Sequence, residues 1–281
     1  MPFRPIAGAL LALGFLCCSA PAAVFPHPER ANGRPLRVVS LMPSLTEDLF
    51  AIGAGREVVA VSQDTDYPAE AAKLPAVASF SSIDAERIVR LHPDLVVGIA
   101  AQARLVADVA RAGLHVELLD DDTYAEIFTT LARLGALTGH AREADALVRS
   151  LHTRTAALVR RLPRDRPATF IVLETSPIVT AGTSSFIAHL VELAGGTDAA
   201  RVADAYPRFS AEALLAAQPD VIVADRYTSL PALLSAPPWN ALRAVRNGRV
   251  YVLDDPDILE RPGPRYNQGL AWLIARLHAR G

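Results

Sequence analysis

AERIVRLHPDLVV, residues 85–97, and AEALLAAQPDVIV, residues 211–223, run on one frame. Alanine and glutamate open each stretch, aliphatic pairs follow at Ile88-Val89 and Leu214-Leu215, and a proline-aspartate step leads into an aliphatic run. The first part of each has the apolar spacing of a helix. Proline cannot continue a helix, so Pro93 and Pro219 end it. Asp94 and Asp220 then open runs of the kind buried on both faces of a parallel sheet. A frame of this length returning in the second half of the chain predicts two α/β lobes of similar build.

The flanking segments extend the alternation. RVVSLMP (37–43), VVAVSQ (58–63), HVELLD (115–120), TFIVLET (169–175) and RVYVLD (249–254) read as strands. LTEDLFAIGAG reads as a helix that Ser44 caps, with Glu47 three residues on completing a capping box and Gly53 and Gly55 stopping it. QARLVADVARAG (102–113) is a second helix, and FIAHLVELAGG, after Thr183-Ser184-Ser185, repeats the glycine stop. Strand–helix repetition of this kind predicts parallel sheets covered by helices. Between the halves, Ala144, Leu147, Val148, Leu151, Leu158, Val159 and Leu162 keep helical spacing from Ala141 to Leu162, until Pro163 and Pro167 break it. Such a helix is ~33 Å long and reads as a rod joining the lobes. The expected organisation is an N-terminal lobe over 37–138, a connecting helix over 139–165 and a C-terminal lobe over 166–281, with a ligand cleft between the lobes.

Composition narrows the function classes. The 281 residues are 51% hydrophobic with a formal net charge of −2. That is enough apolar material for sizeable cores, and it lacks the basic footprint of a nucleic-acid partner. At the N-terminus, Arg4, the apolar run Ile6 to Leu16 and Ala20-Pro21-Ala22 have the parts of a secretory signal. The run is shorter than the ~20 residues that span a bilayer. A signal over 1–23 followed by a flexible segment over 24–36 predicts export to the periplasm. Cleavage near Ala22 removes Cys17 and Cys18, the chain's two cysteines. The residues before either cysteine are not the small pair of a lipoprotein signal, so a lipid anchor is the lesser alternative.

Catalytic patterns are missing: no G-x-S-x-G, no P-loop and no G-x-G-x-x-G after a strand. His27, His92, His115, His140, His152, His189 and His278 are scattered, without metal-ligand spacing on one helix. Neither a catalytic residue nor a metal is expected. The stretch DDPDILERPGPR (254–265) concentrates charge and proline after a strand. It is either one wall of a site or a surface turn with an exposed ion pair over Glu260–Arg265.

The signal, the two lobes, the rod and this last stretch together resemble the periplasmic binding proteins with a helical backbone, and most closely their cobalamin-binding branch. The resemblance runs from Arg37 to about Leu277. Its marks are VVSLMPSLTE (38–47), TDYP (65–68), AERIVRLHPDLVV (85–97) and LERPGPR (259–265). It implies a monomer without a resident cofactor. Such a protein captures a corrinoid and hands it to a dimeric ABC permease with its ATPase subunits. Carried over residue by residue, it implies that Asp257 and Arg261 contact the corrinoid and that Phe80 and Tyr206 are cleft aromatics. The turn at Pro43-Ser44 and the loop with Asp64 and Tyr67 complete the wall. Asp64 and Ile99 stand where the cobalamin branch carries aromatics, which leaves haem or a ferric siderophore as the alternative ligand. Proline-restricted and at the cleft rim, the loop is expected to matter more for affinity than for stability. Glu86 and Glu212, matched in the two repeats, are implied to dock the permease, one per lobe. Each would also favour its own helix dipole by ~0.3–1 kcal/mol. Two other classes stay open: a secreted cleft enzyme, and a sensor or scaffold that binds a ligand without a transporter.

Overall fold

The structure, a computed structural model, describes residues 36–120 and 122–279. The predicted signal with Cys17 and Cys18 and nearly all of the segment 24–36 lie outside the described residues. The first lobe runs β1 (Val38–Ser40), α1 (Pro43–Ala51), β2 (Val58–Ser62), β3 (Ala76–Ala78), α2 (Ala85–Arg90), β4 (Leu95–Ile99), α3 (Ala107–Arg111), β5 (Val116–Leu119) and α4 (Tyr124–Thr138). After α5 (Ala141–Val159) come β6 (Ala168–Val172), β7 (Glu174–Thr175), β8 (Ile178–Val179), α6 (Phe186–Leu193), β9 (Thr197–Asp198), α7 (Ala211–Ala217), β10 (Val221–Asp225), α8 (Leu230–Leu233), α9 (Arg243–Arg246), β11 (Val250–Leu253), α10 (Asp257–Glu260) and α11 (Tyr266–Leu277). Two parallel sheets result, ordered β3-β2-β1-β4-β5 and β11-β10-β6-β9, with β7 and β8 as a small antiparallel pair. The fold is the two-lobed α/β architecture expected.

The proline-aspartate frame has one structural meaning in both lobes. Helices α2 and α7 stop on His92 and Gln218, whose φ angles of 46° and 41° are uncommon for non-glycine residues. After the proline, Asp94 accepts from the Arg37 N–H at 2.9 Å, and Asp220 accepts from the Ala168 N–H at 2.9 Å. Their own N–H groups donate back to the carbonyls of Arg37 and Ala168 at 2.8 and 2.7 Å. Each aspartate therefore fastens the strand it opens to the first strand of its sheet, β4 to β1 and β10 to β6.

Three local expectations are corrected. Ser44 does not cap α1. The helix starts two residues earlier than expected, on Pro43, behind Met42 and without a side-chain cap. Proline suits this first position because its φ is already helical and its missing N–H is not needed there. Ser44 is thus buried inside the first turn, no Ser44–Glu47 capping box forms, and the Glu47 carboxylate is used elsewhere. The helix expected over 102–113 is shortened to α3. The Gln102 side chain folds back under the sheet instead, accepting from the Ile99 N–H at 3.2 Å and donating to the Leu41 carbonyl at 3.3 Å. The rod ends at Val159, three residues early, and is about 28 Å long at 1.5 Å per residue.

The rod does not bridge two separate cores. One apolar core runs from Leu45 and Leu49 of α1 through Leu131 and Leu134 of α4 and Leu151 of α5 to Leu190 of α6 and Leu270 and Leu273 of α11. Fully burying a side chain of this size contributes ~1.5–3 kcal/mol. Two smaller clusters cover the outer faces, one around Phe170, Ile222 and Trp239 and one around Val39, Ile88 and Val96. A buried polar pin fixes the rod within the shared core. Thr155 Oγ1 lies 2.7 Å from Tyr266 Oη and 2.9 Å from Asn267 Oδ1, and Asn267 Nδ2 donates to the Leu151 carbonyl at 3.2 Å.

Candidate ligand cleft

In open α/β sheets, ligands lie beyond the carboxyl ends of the strands. Here those ends meet across the lobes. The loop after β2 brings Asp64, Asp66 and Tyr67, and the loop after β3 brings Phe80. From the other lobe come Asp225 at the end of β10 with Arg226 and Tyr227 after it, and the stretch 254–265 after β11. That stretch is built as one helical turn, α10, behind Pro256, then an extended Arg261, then α11 from Tyr266.

Two arginines of the stretch join the lobes. Arg261 Nη1 donates to Asp66 Oδ1 at 2.7 Å and to Glu47 Oε1 at 3.1 Å. Its Nη2 donates to the Asp64 carbonyl at 3.1 Å and stands 3.0 Å from Asp257 Oδ2. Arg265 holds Glu47 at two points, Nε to Oε2 at 2.7 Å and Nη2 to Oε1 at 2.8 Å, while Nη1 reaches Asp255 at 2.8 Å. The Arg265 guanidinium also lies 4.3 Å over the Tyr67 ring, a contact worth ~0.5–1 kcal/mol or more when desolvated. The Glu47 side chain is only 2% exposed and that of Arg265 9%. A surface turn with an exposed ion pair is therefore excluded. The loop also carries a buried pair, Arg265 with Glu47, and losing one partner of such a pair is costly.

The field of this join shifts several groups. Burial pushes the Asp66 carboxyl up, but the hydrogen bond and charge of Arg261 outweigh it and hold Asp66 below its usual range. Asp257 is pushed up to about 6, first by burial and then by Asp66 and Asp255, against the pull of Arg261. Glu260 keeps one edge open to solvent, yet desolvation and the neighbouring Asp225 carboxyl push it up to about 8. With Asp225 and the apolar Ile171, Val172, Val223, Leu253 and Leu259 it lines a small pocket at the carboxyl end of the second sheet.

The remaining candidates divide by exposure. Tyr67, Phe80 and Tyr206 are exposed aromatics and Asp64 is exposed as well, whereas Ser44 and Ile99 are buried. Tyr227 is a further aromatic that sequence reasoning missed. It is 72% exposed, the most of the large hydrophobic side chains described. Arg226 donates to its hydroxyl at 2.6 Å and lies 4.8 Å from its ring centre. Glu86 and Glu212 occupy matching places in the first turns of α2 and α7, both exposed, behind the caps Asp84 and Ser210. Glu86 lies 3.4 Å from Arg90, and the Glu212 carboxyl is held low by its own N–H and the Ser210 hydroxyl. A helix that follows a parallel strand starts at that strand's carboxyl end, so both glutamates sit on the side of the molecule where the cleft opens.

The sequence profile described as periplasmic binding protein matches residues 38–256. An uncharacterized ABC transporter substrate-binding lipoprotein of Bacillus subtilis is 28% identical over 255 residues, 87% of this chain and 80% of its own. The vitamin B12-binding protein of Vibrio cholerae is 30% identical over 264 residues, 91% of this chain and 92% of its own. The solved periplasmic heme-binding protein RhuT from Roseiflexus sp. RS-1 superposes with a TM-score of 0.79 at 27% identity, over 87% of this chain and 98% of its own.

Proposed function

This chain belongs to the periplasmic binding protein family, and we propose that it captures a corrinoid of the cobalamin type between its lobes and delivers it to an ABC importer. The observation that carries this reading is the join itself. Asp257 and Arg261 stand where the carboxyl ends of both sheets meet, with the Tyr67 ring against Arg265, and Phe80 and Tyr206 are further exposed aromatics on the loops. A corrinoid is a broad ring edged with amides. Flat aromatic side chains give it rigid contact area, and a carboxylate and a guanidinium supply the acceptors and donors that its amides need once water is excluded. Opening the lobes takes Arg261 away from Asp64 and Asp66, and its donors then serve the ligand. The vitamin B12-binding relative supports this ligand.

Haem is the second reading, favoured by the heme-binding neighbour that superposes over 98% of its own length. In either case the protein acts by capture and release, without turnover. Glu86 and Glu212, one per lobe on the cleft side, would dock the two halves of the permease; duplication at matched sites suits a symmetric partner. The working place is the periplasm, reached through the N-terminal signal. Among the described residues no helix is long and apolar enough to cross a membrane. Titration of the purified protein with cyanocobalamin and with haemin, followed by absorption and calorimetry, tests the reading. Saturable binding of cyanocobalamin supports it, and uptake of haemin alone replaces the ligand.

A further inference from the structure

We infer that the cleft selects a macrocycle with an uncharged, amide-bearing rim over one whose rim carries carboxylates; the inference rests on the reading of the chain as a macrocycle carrier. The join holds more acid than base. Glu47, Asp66, Asp255 and Asp257 each stand within ion-pair distance of Arg261 or Arg265. Four carboxylates against two guanidiniums leave two negative charges in excess. Asp225 and Glu260 extend the acid, hydrogen-bonded to each other and in the field of Asp257. Arg226 adds one cation, but it lies in the field of Asp254 and Asp255 and its guanidinium is engaged by Tyr227. Leaving Glu260 out of the count altogether, the balance stays acidic.

A ligand carboxylate entering this site meets like charge, part of it on the exposed Asp66 and Asp255 where salt can screen it. The two arginines beside it are outnumbered by carboxylates, so the field it meets stays negative. A rim amide meets the opposite situation: carboxylate oxygens accept from its NH2, and guanidinium groups donate to its carbonyl. Tyr227 points independently to a broad uncharged ligand. Its backbone is locked by Asp225, which accepts from the Tyr227 and Thr228 N–H groups at 2.6 and 2.8 Å. The ring therefore stands exposed on a fixed loop beside the same carboxylates, a flat contact surface with little left to order on binding.

The test is titration of the mature protein with three probes: cyanocobalamin, the monocarboxylic acid made by hydrolysing one of its side-chain amides, and haemin. The amide and the acid have nearly the same size, so the comparison isolates charge. Cyanocobalamin is expected to bind about tenfold more tightly than the acid, or ~1.4 kcal/mol. The gap should narrow in Asp255→Asn and in 1 M salt, where the Debye length falls to ~3 Å. Equal affinities for the two cobalamins, or a gap that neither change narrows, overturn the inference and leave corrinoid carriage standing. Haemin binding without corrinoid binding overturns both the inference and the corrinoid reading. Binding of none of the three removes the macrocycle reading, and the inference with it.

Discussion

Glu47, on the first helix of one lobe, and Arg265, at the end of the last loop of the other, form a two-point ion pair with N–O distances of 2.7 and 2.8 Å, buried from solvent. Removing one partner of a buried pair costs up to ~3–5 kcal/mol, here offset in part because Arg261 still faces Glu47 and Asp255 still faces Arg265. Glu47→Ala and Arg265→Ala should each lower unfolding stability by that order. The double replacement Glu47→Met with Arg265→Met should recover part of the loss, because two apolar residues leave no unmatched charge of this pair, while Arg261 keeps Asp66 and Asp257 and the exposed Asp255 keeps water. Urea denaturation measures all three; a Glu47→Ala variant as stable as wild type would show that the pair does not hold the lobes.

A second prediction concerns pH. Glu260 and Asp257 are pushed up from 4.5 and 3.8 to about 8 and about 6 in the folded protein. Between the ordinary value and the raised one, the folded state binds the proton that the unfolded state has released, so stability falls as pH rises. Asp66, held low, acts in the opposite sense, and its contribution is lost only as pH falls below the usual carboxylate range. The melting temperature should therefore decline from pH 5 to pH 8, and Glu260→Gln should flatten that decline. A wild-type melting temperature that rises across this window contradicts the assignment.

Charge reversal separates docking from ligand binding. Glu86→Arg together with Glu212→Arg should abolish uptake in cells while leaving ligand affinity near that of wild type, since both side chains stand exposed on α2 and α7, outside the join between the lobes. A tenfold loss of affinity, ~1.4 kcal/mol, would move these residues into the binding site.

What the sequence made legible was local or repeated. The proline-aspartate frame marks both lobes because each aspartate has the same task of holding a strand start. Ser44 misled because S-x-x-E suits a capping box, while Pro43 beside it suits the helix start better; the same pattern at Thr123 and Glu126 does form a box, with the Thr123 N–H donating to the Glu126 carboxylate at 2.8 Å. Gln102 sits in a run with helical spacing, and only the strand ends beside it explain why its side chain turns back. The role of Glu47 was beyond sequence reasoning, since its partners Arg261 and Arg265 lie 214 and 218 residues away. Tyr227 carries one local signal, an aromatic among polar residues directly after a buried strand, and its exposure gives that signal meaning.

The most direct test of the account is calorimetric titration of the mature protein and of Asp257→Ala and Arg261→Ala with cyanocobalamin, with a urea melt of each without ligand. Losing a hydrogen bond in a desolvated cleft costs ~1–3 kcal/mol, or about five- to 150-fold in affinity. The account predicts saturable binding by wild type and a loss of that size in each variant that still folds. Folded variants that bind as tightly as wild type, or a wild-type protein that binds no macrocycle, would contradict it.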